Sequence, residues 1–327
     1  MAMHCVLCGG TEWEVVSERD RHGNPLVTVL CGGCGVLRND PVPSAEALEQ
    51  FYRKDYRASY KGATEPRLRQ VWRNFDRLTG HFRAFADVYA RGGDVLDLGS
   101  GSGEFSYLAK RQGARVVSVE PNEGYAAYCR EKLGLEVQGK TLEDCDFAQQ
   151  SFDLIRLSHV LEHMRDPVAS LERLRGWLRP GGVLYVEVPN IEADACNKVQ
   201  GRMFHYGHIY NYNPVTLRHV AGLAGLIELP QTAARCAGTC GVFLVRGEGG
   251  QLPEAQLRDN AKLMQDRMQE HRSRRVPKPL EGSALGQFLR RLGQRWREAR
   301  AGRRLRSHGA IAEAAGAALA EKRDLMA

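Results

Sequence analysis

Short apolar runs bounded by glycine, proline and charged residues recur through the middle of the chain, with apolar positions at helical spacing on either side of them. Val95, Leu96 and Leu98 form a compact run of the kind found in a strand covered on both faces. Further strands are predicted at Arg115 to Val119, around Leu135 to Val137, at Ser151 to Ser158 and at Val183 to Val188. Helices are predicted over Phe105 to Gln112 and over 168–178, and an Arg179-Pro-Gly-Gly182 turn introduces the last strand. Upstream, Ser44 can cap a helix carrying Leu48, Phe51 and Tyr52. Pro66 opens another, with Leu68, Val71, Trp72, Phe75, Leu78, Phe82 and Phe85 spaced as a core-facing stripe. Downstream, Pro277, Pro279 and Gly282 divide the end of the chain into two or three helices. Leu285, Phe288, Leu289, Leu292 and Trp296 line up there beside Arg290, Arg291, Arg295, Arg297 and Arg300.

The chain has 327 residues, enough for one full α/β domain with additions. No apolar stretch reaches the length of a membrane span, and Met1 to Cys5 lacks a basic region followed by an apolar core, so a cytoplasmic protein is expected. Charge is uneven. Residues 251–327 hold 17 Lys and Arg against 9 Asp and Glu, whereas residues 1–250 hold 29 against 30. The basic helices could pack on the rest of the protein, pair with another subunit or a protein partner, or rest on an anionic membrane or nucleic acid. Few aromatics alternate with the arginines, which weakens the nucleic-acid reading.

Nine cysteines suggest metal ligands and free thiols before disulfides. Cys5-Val-Leu-Cys8-Gly9 and Cys31-Gly-Gly-Cys34-Gly35 are two C-x-x-C-G knuckles, separated by 22 residues with a hairpin turn expected at His22-Gly-Asn-Pro25. Four sulfurs in tetrahedral array suit a structural zinc ion, because they leave no open coordination position; a redox dithiol is the alternative. His4 and His22 read as surface residues. Cys129, Cys145, Cys196, Cys236 and Cys240 lack knuckle spacing and read as packed thiols.

The densest chemistry lies at Asp94-Val-Leu-Asp-Leu-Gly-Ser-Gly-Ser-Gly-Glu-Phe105. A strand enters a loop with glycine at every second position, and a helix with unpaired N–H groups follows. Glu120 closes the next strand, where a carboxylate can accept both hydroxyl hydrogens of a ribose. The glycines fall as G-x-G-x-G, not the G-x-G-x-x-G of nicotinamide sites, and a turn of purely structural purpose is the other reading. The stretch resembles motif I of the class I S-adenosylmethionine-dependent methyltransferases, and the resemblance continues for about 130 residues. It implies a Rossmann-like seven-stranded α/β methyltransferase sheet with helices on both faces, which the cysteine knuckles and the charge pattern place after a small zinc ribbon and before a helical basic tail. The implied boundaries are 1–42 for the ribbon, 43–92 for a helical bridge or lid, 93–248 for the cofactor domain and 249–327 for the basic extension. The resemblance also implies that Asp97, Gly99, Ser100, Gly101 and Gly103 face the methionine half of S-adenosylmethionine and that Glu120 faces its ribose, with Pro121 and Asn122 also cofactor-binding. Leu142, Glu143 and Asp144 would flank its adenine, with Ser158 closing the cofactor set. Tyr56 and Tyr60 would border the site from the lid.

His159-Val-Leu-Glu-His-Met-Arg-Asp-Pro167 matches a strand-end loop that lies beside the transferred methyl in this family, which brings His159 and His163 near the chemistry. Phe204-His-Tyr-Gly-His-Ile-Tyr-Asn-Tyr-Asn-Pro214 occupies the place where the fold builds its substrate site, with His205, Tyr206, Tyr210 and Tyr212 available to an acceptor. A hydroxyl acceptor must lose a proton, and histidine suits that role near neutral pH, with His208 the first choice and His163 and His159 next. The ribbon, bridge and cofactor segment together resemble a bacterial group of zinc-ribbon methyltransferases acting on sugars, glycans and secondary metabolites. Its sugar C-methyltransferases carry Tyr-His-Glu-His where this chain has His205-Tyr206-Gly207-His208. That departure favours O-methylation of a sugar, glycan or secondary-metabolite hydroxyl over C-methylation. Methylation of RNA, and a non-enzymatic scaffold that binds S-adenosylmethionine, are the rival readings.

Overall fold

The computed structural model describes residues 4–51, 65–81, 93–197, 203–229, 238–273, 292–293, 296–298, 300, 305 and 307–324. Tyr52, Tyr56, Tyr60, Phe82, Phe85, Cys236, Pro277, Pro279, Gly282, Leu285, Phe288, Leu289, Arg290, Arg291 and Arg295 lie outside the described residues, and with them the lid tyrosines and most of the tail stripe. In chain order the strands are β1 (Trp13–Arg19), β2 (Pro25–Cys31), β3 (Leu37–Asn39), β4 (Asp94–Leu98), β5 (Arg115–Val119), β6 (Glu136–Gln138), β7 (Phe152–Ser158), β8 (Leu178–Pro189), β9 (Tyr210–Asn211), β10 (Leu226–Glu228) and β11 (Thr239–Arg246). The helices are α1 (Ala45–Gln50), α2 (Leu68–His81), α3 (Glu104–Arg111), α4 (Glu123–Leu133), α5 (Pro167–Trp177), α6 (Ile191–Asn197), α7 (Pro214–Leu223), α8 (Glu254–Ser273) and α9 (His308–Asp324).

Seven strands form one sheet in the order β10-β11-β8-β7-β4-β5-β6. β4, β5 and β6 pair in parallel, and β11 runs antiparallel between β10 and β8. This is the Rossmann-like α/β sheet expected from the sequence, with ligand chemistry gathered at the carboxyl ends of its parallel strands. One boundary differs. The expected turn at 179–182 is part of β8, which runs unbroken from Leu178 to Pro189 with Gly181 at a positive φ of 76°. A glycine there lets the strand kink without ending.

The chain divides into two compact units, Met1–Glu49 with Leu157–Pro279, and Gln50–Arg156 with Leu280–Ala327. In the second unit, Val95, Leu96, Leu98, Phe105, Leu108 and Val119 are buried, as their apolar spacing required. The stripe of α2 turns Val71 and Phe75 inward, and Phe75 meets Tyr107 edge-on at 5.9 Å. The last helix of the chain, α9, packs on α2, α3 and α4. Its first residue, His308, sits 3.0 Å from the carbonyl oxygen of Pro66 and edge-on to Tyr128 at 4.8 Å. Arg73 and Arg69 pair with the buried Glu298 at 2.8 and 3.3 Å. The described end of the basic extension is therefore built into this unit.

In the first unit, β1 and β2 form the expected hairpin. Asp20 shapes its turn by accepting from the backbone N–H groups of His22 and Asn24, both at 2.8 Å. β3 adds to β2, and β9, from the histidine and tyrosine run far along the chain, adds to β3 through Leu37↔Asn211 and Arg38↔Tyr210. Helix α8 covers this four-stranded sheet. Met264 and Met268 pack with Val16, Leu30, Leu37, Ile191, Ala195, Met203 and Phe204, each large side chain among them contributing about 1.5–3 kcal/mol by its burial. Asn260 fixes the helix in place, donating to the carbonyl of Cys34 at 2.8 Å and accepting from Asn213 at 2.6 Å.

Candidate functional site

The glycine loop leaves β4 with Gly99, Gly101 and Gly103 at φ values of 71°, 59° and 76°, all in the left-handed region. Gly103 is required twice over, since a Cβ there would lie 2.8 Å from Leu135 Cδ1 and 2.9 Å from Cys129 Sγ. The loop is drawn onto the end of β5, where the N–H groups of Gly99 and Ser100 both donate to the Val119 carbonyl, at 2.8 and 3.0 Å. Glu120 holds it from below: one carboxylate oxygen accepts from Gly101 N–H at 2.8 Å and the other from Asn122 N–H at 3.0 Å. The N-cap of α3 is Gly103, which has no side chain to cap the helix, and the buried Ser100 hydroxyl has no hydrogen-bond partner among the described residues.

Asp97 is fully buried, and its oxygens are engaged within the fold by the Arg156 guanidinium at 2.8 Å and the Ser106 hydroxyl at 2.6 Å. Arg156 in turn lies over the Phe105 ring at 4.5 Å. The carboxylate thus positions the strand end. Asn122 caps α4 by accepting from Tyr125 N–H at 3.1 Å, and Pro121 beside it is half-buried. Leu142 is buried, while Glu143 and Asp144 are exposed, with Thr141 donating to Asp144 at 2.8 Å. Asn74, which the sequence did not single out, donates to Ser102 at 3.2 Å and to Glu104 at 2.8 Å.

The four knuckle cysteines come together in the first unit, with every pair of sulfurs within 4.8 Å. Cys5 and Cys34 sulfurs are 3.7 Å apart, and Cys8 and Cys31 sulfurs 3.5 Å. Hydrogen bonds from Cys34, Cys5 and Cys8 push the Cys31 thiol far down, while hydrogen bonding with Cys31 pushes Cys5 and Cys34 up. A Cβ at Gly33 would stand 3.0 Å from Cys8 Sγ. Of the other cysteines, Cys129, Cys145 and Cys240 are buried and Cys196 is half-buried, as packed thiols should be; His4 and His22 are exposed.

A third group collects at the end of β7, also in the first unit. His159 adopts a left-handed backbone at φ 58°, unusual for a residue with a side chain and a mark of functional sites. Its N–H donates to the Glu187 carbonyl at 2.8 Å. Its ring nitrogens lie 3.4 Å from a Glu162 oxygen and 3.6 Å from a Glu187 oxygen. Glu187 also accepts from Tyr185 OH at 2.8 Å and from Ser158 at 3.2 Å. His163 Nδ1 sits 2.5 Å from the Gly207 carbonyl oxygen, and its ring meets His208 edge-on at 4.9 Å. The run bearing His205 and His208 is held by Asn39, whose amide donates to the carbonyls of His205 and Tyr206 at 3.3 and 2.9 Å. His205 Nδ1 accepts from Gly207 N–H at 3.1 Å.

Burial, helped by His163, His205, His159 and Arg21, keeps His208 well below the usual histidine range, and burial pushes His205 down to about 3. Both rings are neutral near pH 7. Tyr206 is half-buried, while Tyr210, on β9, and Tyr212, which bridges to Asn190, are buried. Burial pushes the Tyr210 hydroxyl up to about 12, and the Tyr212 hydroxyl has no partner among the described residues. The structure therefore brings His159, His163, His205 and His208 into one group and adds two carboxylates that the sequence reading passed over. Glu162 lies between the two named histidines of its own loop, and that adjacency was the available signal. Glu187 carried none, since it reads as an ordinary strand residue.

Residues 71–227 match the family model described as a methyltransferase domain. The match takes in the glycine loop and the parallel strands β4, β5 and β6, and the seven-stranded sheet has the Rossmann-like methyltransferase fold. The chain is 36% identical over 120 residues to the ubiquinone biosynthesis O-methyltransferase of Ruegeria pomeroyi, covering 35% of this chain and 46% of that one. It is 31% identical over 122 residues to the enzyme of the same name from Parvibaculum lavamentivorans, covering 35% and 48%. The chain thus spans less than half the length of these relatives. Among solved structures, Burkholderia thailandensis 1,6-didemethyltoxoflavin-N1-methyltransferase, with bound S-adenosylhomocysteine, aligns at 19% identity and a TM-score of 0.48, over 65% of this chain and 96% of that one. Among the described residues, no helix is long and apolar enough to cross a membrane.

Proposed function

We propose that the protein is an S-adenosylmethionine-dependent O-methyltransferase acting on a hydroxyl of a polar small molecule, with sugars, glycans and secondary metabolites as the acceptor class. The observation that carries the acceptor half is the joining of the β7 end loop to the 204–214 run. Together they offer imidazoles and carboxylates to a hydroxyl. Relatives named as O-methyltransferases, 31–36% identical over about a third of this chain, support the reading.

The residues of the glycine loop suit the cofactor. The buried Ser100 hydroxyl, which has no hydrogen-bond partner among the described residues, and the N-terminus of α3 behind Gly103 suit a polar ligand, with the Glu120 carboxylate bonded to the same loop at Gly101. S-Adenosylmethionine, when bound, supplies an electrophilic methyl on a sulfonium. The protein must then align the acceptor, exclude water and take up the hydroxyl proton. His159 is the histidine best placed to hold that proton, because carboxylates at 3.4 and 3.6 Å would stabilise its imidazolium. His208, the first choice from the resemblance, is held neutral by burial and by its neighbours, and so retains a proton poorly.

Zinc fits the cysteine cluster. Zn–S bonds of about 2.3 Å in tetrahedral array set the sulfurs about 3.8 Å apart, close to the 3.5 and 3.7 Å found. Cys5, Cys8, Cys31 and Cys34 would hold the ion as a structural crosslink of the ribbon.

The test is to incubate the protein with trideuteromethyl S-adenosylmethionine and separate pools of sugar nucleotides, glycans, phenolic metabolites and RNA. S-Adenosylhomocysteine formation with a labelled O-methyl product is expected from a small-molecule or glycan pool. A label on carbon, or on RNA alone, would replace this reading, and no product from any pool would favour a scaffold.

A further inference from the structure

We propose that Glu162, His163 and His208 form a second metal site, which takes a divalent first-row transition ion and leaves a coordination position open to the acceptor's oxygen. One ligand atom from each of the three lies within 4.8 Å of the others. Two imidazoles and one carboxylate favour a transition ion over magnesium or calcium, which prefer all-oxygen sets.

Three features argue that the group is built for an ion and not merely packed. Glu162 is 1% exposed, and neither carboxylate oxygen has a hydrogen-bond partner among the described residues; its near neighbours are the rings of His159 at 3.4 Å and His163 at 3.9 Å. A carboxylate so buried calls for a cation. Second, the Gly207 carbonyl 2.5 Å from His163 Nδ1 makes that nitrogen the protonated one. The lone pair is then on Nε2, the nitrogen facing Glu162, and a carbonyl behind a histidine is the usual support of a metal ligand. Third, the turn that carries His208 is fixed independently, by Asn39 on the carbonyls of 205 and 206 and by His205 on Gly207 N–H. Donor atoms about 2.0–2.2 Å from an ion are closer to one another than 4.8 Å, so small rotations of these three side chains would close the site.

With three protein ligands the ion keeps an open position, as catalytic sites do and the four-cysteine cluster does not. A hydroxyl oxygen bound there becomes more acidic, and His159, held between Glu162 and Glu187, can take its proton. This last role rests on the methyltransferase reading; the metal site itself does not.

The experiment is a cobalt(II) titration of the full-length, metal-depleted protein, followed by absorption spectroscopy and metal analysis. Two equivalents are expected. One carries the thiolate-to-cobalt charge-transfer band of the cysteine site, and the other shows only the weaker bands of nitrogen and oxygen ligands. Glu162→Gln and His163→Ala should retain the first equivalent and weaken the second by more than the roughly 10–100-fold that loss of a supporting partner costs. A single equivalent in the wild-type protein, with thiolate character throughout, would overturn the proposal and leave Glu162 as an ion-pair partner of His159. That result does not depend on whether any variant folds. Two equivalents without methyl transfer would sink the functional reading while leaving the site standing, and transfer with one equivalent would do the reverse.

Discussion

Glu120 holds its own loop through both carboxylate oxygens, one on Gly101 and one on Asn122. A carboxylate oxygen accepts more than one hydrogen bond, so the same group can serve a ribose. Glu120→Ala should therefore weaken S-adenosylhomocysteine binding by about 1.5–3 kcal/mol, the scale of a hydrogen bond to a charged group, measured by calorimetry. Unchanged affinity would remove the ribose assignment. His205 gives a pH prediction of definite sign. Its neutral form is favoured in the fold by burial, with Arg21, His163 and His22 also disfavouring the charged ring and Asp20 opposing them. Below its ordinary value of 6.5 the unfolded chain takes up a proton that the native protein refuses until about pH 3. Stability should thus be full above pH 6.5 and fall as pH drops from there towards 3. His205→Asn, which keeps an acceptor for Gly207 N–H but cannot titrate, should flatten that part of the profile in denaturant melts. An equally steep profile would refute the assignment.

At the scale of elements, the glycine loop and the strands around it were legible because their signals are local: an apolar run, left-handed glycines and a carboxylate at the next strand end. The cysteine knuckles were legible for the same reason. The addition of β9 to the ribbon sheet was not. Asn39 and Tyr206 meet across 167 positions, and no periodicity in either segment announces such a contact. Helix α8 was hidden differently. Its buried Leu257, Asn260, Ala261, Met264, Met268 and His271 form a stripe interrupted by polar residues, so basic composition dominated the reading. Asn260→Ala should leave the Asn213 amide and the Cys34 carbonyl unsatisfied and cost about 1–3 kcal/mol of stability, read from urea unfolding. A loss below a few tenths of a kcal/mol would show that α8 is held by its apolar side chains alone.

At the scale of the whole molecule, the ribbon and the candidate acceptor segment share one sheet, and the glycine loop belongs to the other unit. On the proposed zinc reading of the four-cysteine cluster, loss of the ion should consequently harm the acceptor half first. A Cys5→Ser/Cys31→Ser protein should lose about one zinc per chain and its methyl transfer, while still binding S-adenosylhomocysteine; metal analysis and calorimetry decide. Full transfer activity without that zinc would uncouple the ribbon from the acceptor site. What sequence could not reveal is the acceptor, because the histidines and carboxylates that would meet it come from segments whose meeting only the fold determines. The central claim, a methyl-donor site on the Asp97 to Gly103 loop, is tested most directly by titrating the wild-type protein with S-adenosylhomocysteine in a calorimeter. Saturable binding of one molecule per chain is the predicted result, and no binding to a folded protein would contradict it.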